Sequence, residues 1–177
     1  MSQHDQIRRQ GKKTALCGMM AALSAVVLCL GGMVPLATFT CPILAMLCLI
    51  PVLCEYGTGT ALLLYGAVSI LALLLGPDKE AVLFYTFLGW YPSVRSRVDS
   101  IHVPVRWLVK CGLFTLAMMA MYALALYLFR LEAVAEEFAG YSNVMVFGLL
   151  VLGNVTFLAF DRVLARFSAL YQEKRKR

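Results

Sequence analysis

Long apolar runs alternate with short islands of charge along the whole chain. The runs cover about 14–34, 42–55, 58–75, 80–94, 105–129 and 143–160. A helix needs about 20 mainly apolar residues to cross a bilayer, and six such runs use up nearly all of the sequence. The breaks between them carry helix-ending chemistry. Gly31-Gly32 and Pro35 loosen the end of the first run. Pro51 lacks an N–H and is expected to kink the second. Glu55-Tyr56-Gly57 reads as a turn, and Gly76-Pro77 cannot continue a helix. Gly89 and Pro92 interrupt the fourth run, with Trp90 and Tyr91 where an interfacial aromatic belt belongs. Pro104 suits the first turn of the fifth. The pattern predicts an all-α integral membrane protein of about six transmembrane helices, one domain over 1–177, ending in a basic tail over 161–177.

Composition strengthens that expectation. Hydrophobic residues make up 61% of the 177 positions, and the mean hydropathy is +0.78. A soluble domain of this size has too much exterior to hide so much apolar surface. Charge then sets the orientation. When the runs are threaded alternately, all but Lys79 and Arg130 of the sixteen Lys and Arg fall on one side. Short loops rich in Lys and Arg stay cytoplasmic, so both termini are expected inside. The first run is longer than the ~7–15 residues of a signal-peptide core, which favours a span over a cleaved leader. The net charge of +6 borders the spans. It reads as topology and contact with anionic lipid at the cytoplasmic face, not as nucleic-acid binding. The six cysteines form no CxxC pair and read as small apolar packing residues.

Enzyme motifs fail. The histidines are His4, in a polar tail, and His102, in an inner loop. No HExxH, GxSxG or phosphate-loop glycine pattern occurs, and no His or Cys spacing suits a metal. No catalytic activity, cofactor or metal is expected. Four features remain. Asp78-Lys79-Glu80 puts three alternating charges at a tight outer turn above two apolar helices. It is either a solvated turn, with Glu80 complementing a helix N-terminus, or a clamp for a ligand of both charge signs. Tyr85, within about two turns below, would then be a wall. The segment over 130–143 carries Glu132, Glu136 and Glu137 at helical spacing and ends in Tyr141, Ser142 and Asn143. It is either a solvated amphipathic helix or a lid. Asn154 lies near mid-depth of the last run, where an unpaired amide is costly. It is either an interhelical bond or a polar contact at a pocket floor. Gly18, Ala21, Ala22 and Ala25 give the first run small-xxx-small spacing, which lets helices approach closely. That face packs within the bundle or docks on another membrane subunit.

With these features, the chain resembles the substrate-binding S components of energy-coupling factor transporters. The likeness covers nearly the whole chain. It rests on about six spans in under 200 residues, termini inside, a basic N-terminus and an Ala-rich first helix. The resemblance implies a prokaryotic plasma-membrane subunit for uptake of a small polar or zwitterionic micronutrient, driven by a separate coupling subunit and ATPases. It implies that the small face around Ala21 and Ala25 engages the coupling subunit. It also implies that the loops at 35–41, 76–80 and 130–143 close over the substrate. Asp78, Lys79, Glu80, Tyr85, Tyr141, Asn143 and Asn154 are then the candidate binding residues. The rival reading is a non-transport membrane scaffold similar to MreD of the cell-shape machinery. An outward-opening buried cavity favours the binder, and a packed bundle with its features on the inner face favours the scaffold.

Overall fold

The computed structural model describes residues 3–31, 38–100, 102–127 and 143–176, and they are helical almost throughout. The described residues form seven helices in order: α1 (Gln3–Gly31), α2 (Thr40–Leu47), α3 (Leu49–Leu75), α4 (Lys79–Leu88), α5 (Tyr91–Asp99), α6 (Val103–Tyr127) and α7 (Asn143–Lys176). Among the described residues three stretches, Asp5–Gly31, Leu49–Leu75 and Val105–Leu124, are long and apolar enough to cross a membrane.

The helix ends follow local chemistry. The break between α2 and α3 falls at Cys48. Pro51 offers no N–H, and its ring crowds the carbonyl four residues back, at Leu47, so the chain breaks there instead of at the proline itself. Gly57 interrupts α3 with φ 80° and ψ 178°. That left-handed backbone is open to glycine and strained for other residues. The expected turn at Glu55-Tyr56-Gly57 is thus a non-helical kink at Gly57 that divides α3 into two helical arms. Gly76 ends α3 in an extended conformation, and a Cβ there would meet the Ala72 carbonyl oxygen and Val82 Cγ2. The expected run over 80–94 is divided at Gly89-Trp90 into α4 and α5. Two helices outrun their apolar cores. α1 reaches back to Gln3, and α7 continues without a break through the basic residues to Lys176. Nothing at those places forces an end: no proline or capping glycine occurs between Gln3 and Thr14 or after Phe160 apart from Gly11.

Contacts show how the elements run. Lys13 lies over the Tyr56 ring at 5.9 Å, and Ser24 Oγ donates to the Ala45 carbonyl at 3.4 Å. The stretch 40–56 therefore runs antiparallel to α1. Beyond Gly57, Tyr65 OH donates to the Thr86 carbonyl, which sets the rest of α3 antiparallel to α4. α6 and α7 are likewise antiparallel. Lys110 meets Asp161, Phe114 stacks on Phe157 with centroids 4.9 Å apart, and Asn154 reaches Thr115.

α4 is the centre of the bundle. Ala81, Val82, Leu83, Phe84, Tyr85 and Leu88 are all buried, on every side of the helix. An all-round apolar helix belongs in the interior. Leu28, Met46, Leu49, Val68, Tyr91, Met121, Phe157 and Leu164 close around it from the other helices. The outer faces are apolar too: Leu63, Leu74, Leu108 and Leu116 are each more than 70% exposed. Apolar surface on this scale is foreign to a soluble monomer and suits a lipid solvent.

Candidate functional site

The bundle has two polar ends and a few polar atoms sealed between them. At one end, α3 passes into α4 through 76–78. Asp78 Oδ1 accepts from the Glu80 and Ala81 backbone N–H groups at 3.0 and 3.2 Å. This is an N-cap: the carboxylate satisfies donors that the first turn of α4 leaves unpaired. Lys79 Nζ turns the other way and donates to the carbonyls of Leu73 and Gly76 at 3.2 and 3.0 Å. It caps the C-terminus of α3, where a cation also complements the helix dipole. Glu80 stands in the first turn of α4. All three side chains are half-buried. Phe39 packs edge-on to Phe84 at the same end, centroids 5.5 Å apart.

Below the turn lie hydroxyls without partners. Tyr85 is fully buried, and its OH has no hydrogen-bond partner. The Tyr65 ring lies 5.9 Å from it. Ser69, 6% exposed, also has an unpartnered hydroxyl. Deeper in the bundle, Asn154 Nδ2 donates to Thr115 Oγ1 at 3.3 Å and to the Leu150 carbonyl at 2.9 Å, while its Oδ1 has no partner. A buried polar atom left unpaired costs about 1–3 kcal/mol.

The opposite end holds the densest chemistry, and it comes from five residues on three helices. Asp161 of α7 accepts from Tyr91 OH at 2.6 Å, Arg95 Nε at 2.6 Å and Lys110 Nζ at 2.5 Å. Asp99 closes the ring, with Lys110 Nζ at 2.6 Å and Arg95 Nη2 at 2.8 Å. Two carboxylates thus share two cations. Lys110 is 5% exposed and Asp161 8%. Burial pushes the Asp161 carboxyl up, but the hydrogen bonds from Lys110, Tyr91 and Arg95 outweigh it and hold the group below the usual aspartate value. Beside this ring is a cavity of about 170 Å³ lined in part by Arg106, Trp107, Leu158 and Arg162. Arg162 lies over the Trp107 ring at 5.9 Å. A larger open cleft, about 660 Å³, lies between Arg9, Lys12 and Lys13 of α1 and Glu55 and Tyr56 of α3. Tyr171 OH donates to Glu55 at 2.7 Å, tying α7 to the same end.

The sequence-predicted residues fall in separate places. Asp78, Lys79 and Glu80 share the turn, and Tyr85 lies under it in the core. Asn154 is on α7 against α6. Asn143 opens α7, while Tyr141 and the acidic segment before it lie outside the described residues. On α1, Gly18 and Ala22 face outward, and a Cβ at Gly18 would meet nothing within 4 Å. Ala21 packs against the core, and Ala25 is half-buried. The Asp161 ring is absent from the sequence-level candidates. Its one signal is Lys110, a cation inside an apolar run, because a charge at membrane depth needs a partner. Among the described residues no three His, Cys, Asp or Glu side chains gather as a metal site would require. No family model, curated protein or solved structure matches this chain.

Proposed function

We propose that the chain is a six-span membrane subunit with both termini in the cytoplasm, which binds a small polar or zwitterionic solute within its bundle for uptake. It works with a separate coupling subunit and ATPases in a prokaryotic plasma membrane. One observation carries this reading: the Tyr85 and Ser69 hydroxyls and the Asn154 carbonyl oxygen are buried without partners. A folded core tolerates such atoms at a cost, and a polar guest that supplies the missing hydrogen bonds removes it. Of the four buried side-chain atoms without partners among the described residues, the fourth being Ser93 Oγ on α5, two belong to residues that the sequence marks as binding candidates. The open notch at Gly18 and Ala22 supports docking of a second membrane subunit on α1.

The reading is tested by mass spectrometry of the purified protein and of variants Tyr85→Phe and Asn154→Leu. The expected result is one small polar molecule on the wild type, at least ten-fold depleted in the variants. A wild type that carries no such molecule, or variants that retain it in full, overturns the reading.

A second reading is a membrane scaffold that recruits partners at its cytoplasmic face. The ring of Arg95, Asp99, Lys110 and Asp161 favours it, because a rigid, charge-balanced end is a platform for other proteins and has no evident use in solute capture. Recovery of a stable complex with no ATPase and no small molecule selects it.

A further inference from the structure

The cavity between α5, α6 and α7 has a charge imbalance. Four cations line it, Arg95, Arg106, Lys110 and Arg162, against two carboxylates, Asp99 and Asp161. Arg95 and Lys110 are committed to those carboxylates. Arg106 and Arg162 have no carboxylate partner among the described residues, so the cavity keeps two uncompensated positive charges. Its volume of about 170 Å³ equals that of about five or six waters at ~30 Å³ each, which leaves room for a phosphate group.

The surroundings choose the kind of phosphate. Leu158 and Trp107 form apolar wall beside the cations. Trp107 is itself 39% exposed, and Arg162 lies over its ring. A part-exposed indole with a guanidinium on its face and Leu158 in the same wall is the arrangement of a bilayer boundary. A soluble phosphate compound has no use for that wall, whereas an acyl chain does.

We propose that this cavity is a specific site for the phosphate headgroup of an anionic membrane lipid, held by Arg106 and Arg162 with its acyl chain along Trp107 and Leu158. The Asp161 ring holds the cavity's floor in place and keeps Arg95 and Lys110 from competing for the ligand. The site is independent of solute binding at Tyr85 and of any transport partner.

The test uses the full chain in detergent micelles, with thermal unfolding followed as lipid is added. Phosphatidylglycerol is expected to raise the melting temperature in a saturable way, and phosphatidylcholine is not. R106Q and R162Q are each expected to need roughly five-fold more phosphatidylglycerol for half the effect, the loss typical of one basic side chain at an anionic lipid surface. Their melting temperatures in phosphatidylcholine should match the wild type. Should R106Q not fold, R162Q carries the comparison alone, since that guanidinium is exposed. An unchanged lipid requirement in R162Q overturns the proposal. So does equal stabilisation by inorganic phosphate at matched ionic strength, which assigns the cavity to a soluble phosphate instead.

Discussion

The two ends of the bundle hold similar side chains and use them differently. At the α3–α4 turn, Asp78 and Lys79 are neighbours in sequence, yet each reaches for backbone: one takes the N–H groups of α4, the other the carbonyls of α3. At the opposite end, Asp161 and Lys110 are far apart in sequence and reach for each other. A charge on a short turn between two helix ends is surrounded by unpaired backbone groups, and these claim it first. A charge projecting from mid-helix has no free backbone nearby, because its own helix has used it. Its counter-charge must come from another helix. Hence the turn stabilises two helix ends locally, while the ring fastens α5, α6 and α7 together.

The largest test of this contrast is Asp161→Leu. It leaves Arg95 and Lys110 sharing one carboxylate in a buried site, and removing one partner of such a network costs about 3–5 kcal/mol. Denaturant unfolding in detergent should show that loss. The charge-neutral pair Asp161→Leu with Lys110→Met should recover most of it. If the double variant is no better than the single, the ring is not a coupled unit.

Acid is the next lever. Asp161 has its folded-state value held below the ordinary one. Its contribution is therefore fully present above the unfolded aspartate value of about 3.9 and is lost as pH falls below that toward the folded value. Tyr91 and Arg95 of α5, Lys110 of α6 and, through the two shared cations, Asp99 of α5 are the groups that face it. Stability measured from pH 7 to pH 5 should be insensitive to this group, and the acid limb below about pH 4 should flatten in Asp161→Asn. An acid limb of unchanged slope would mean that other carboxylates dominate it.

The turn should respond least. Asp78→Ala removes an N-cap and is expected to cost about 1 kcal/mol, with Asp78→Asn close to neutral because Asn caps as well. Lys79→Met should cost less than Asp78→Ala, since a half-exposed cation at a helix C-terminus contributes only about 0.3–1 kcal/mol. Equal losses at Asp78 and Asp161 would erase the distinction between the two ends.

The same contrast explains what could be read in the sequence. Gly57, Gly76-Pro77 and Gly89 announce their breaks because glycine and proline act on the backbone within a residue or two. The capping roles of Asp78 and Lys79 are equally local. The sequence divides this turn between a solvated loop and a ligand clamp, and the caps themselves come from the hydrogen bonds. The helical character follows from apolar runs that have no other way to satisfy their backbone. The Asp161 ring was not legible, because it joins residues 95, 99, 110 and 161 through the packing of three helices. Lys110 as a residue able to reach the surface and Lys110 as a buried counter-ion look the same in a linear sequence. The face of α1 was legible only in part. Spacing relates Gly18 to Ala22 and Ala21 to Ala25, but which pair turns outward depends on how α1 rolls against 40–56.

Gly57 has a bearing on how such a chain would enter a bilayer. The arm over 40–56, from the start of α2 to the break, is about 25 Å long at 1.5 Å per residue, short of the roughly 30 Å hydrocarbon core. It also contains the discontinuity between α2 and α3 at Cys48, and Pro51 has no N–H to offer the carbonyl four residues before it. Alone it would be a poor substrate for the insertion machinery. Beside α1 it gains a neighbour along its whole length, from Ser24 against Ala45 to Lys13 over Tyr56. A helical hairpin of α1 and 40–56, closed at the Gly57 break, thus gives this short arm the partner it lacks alone.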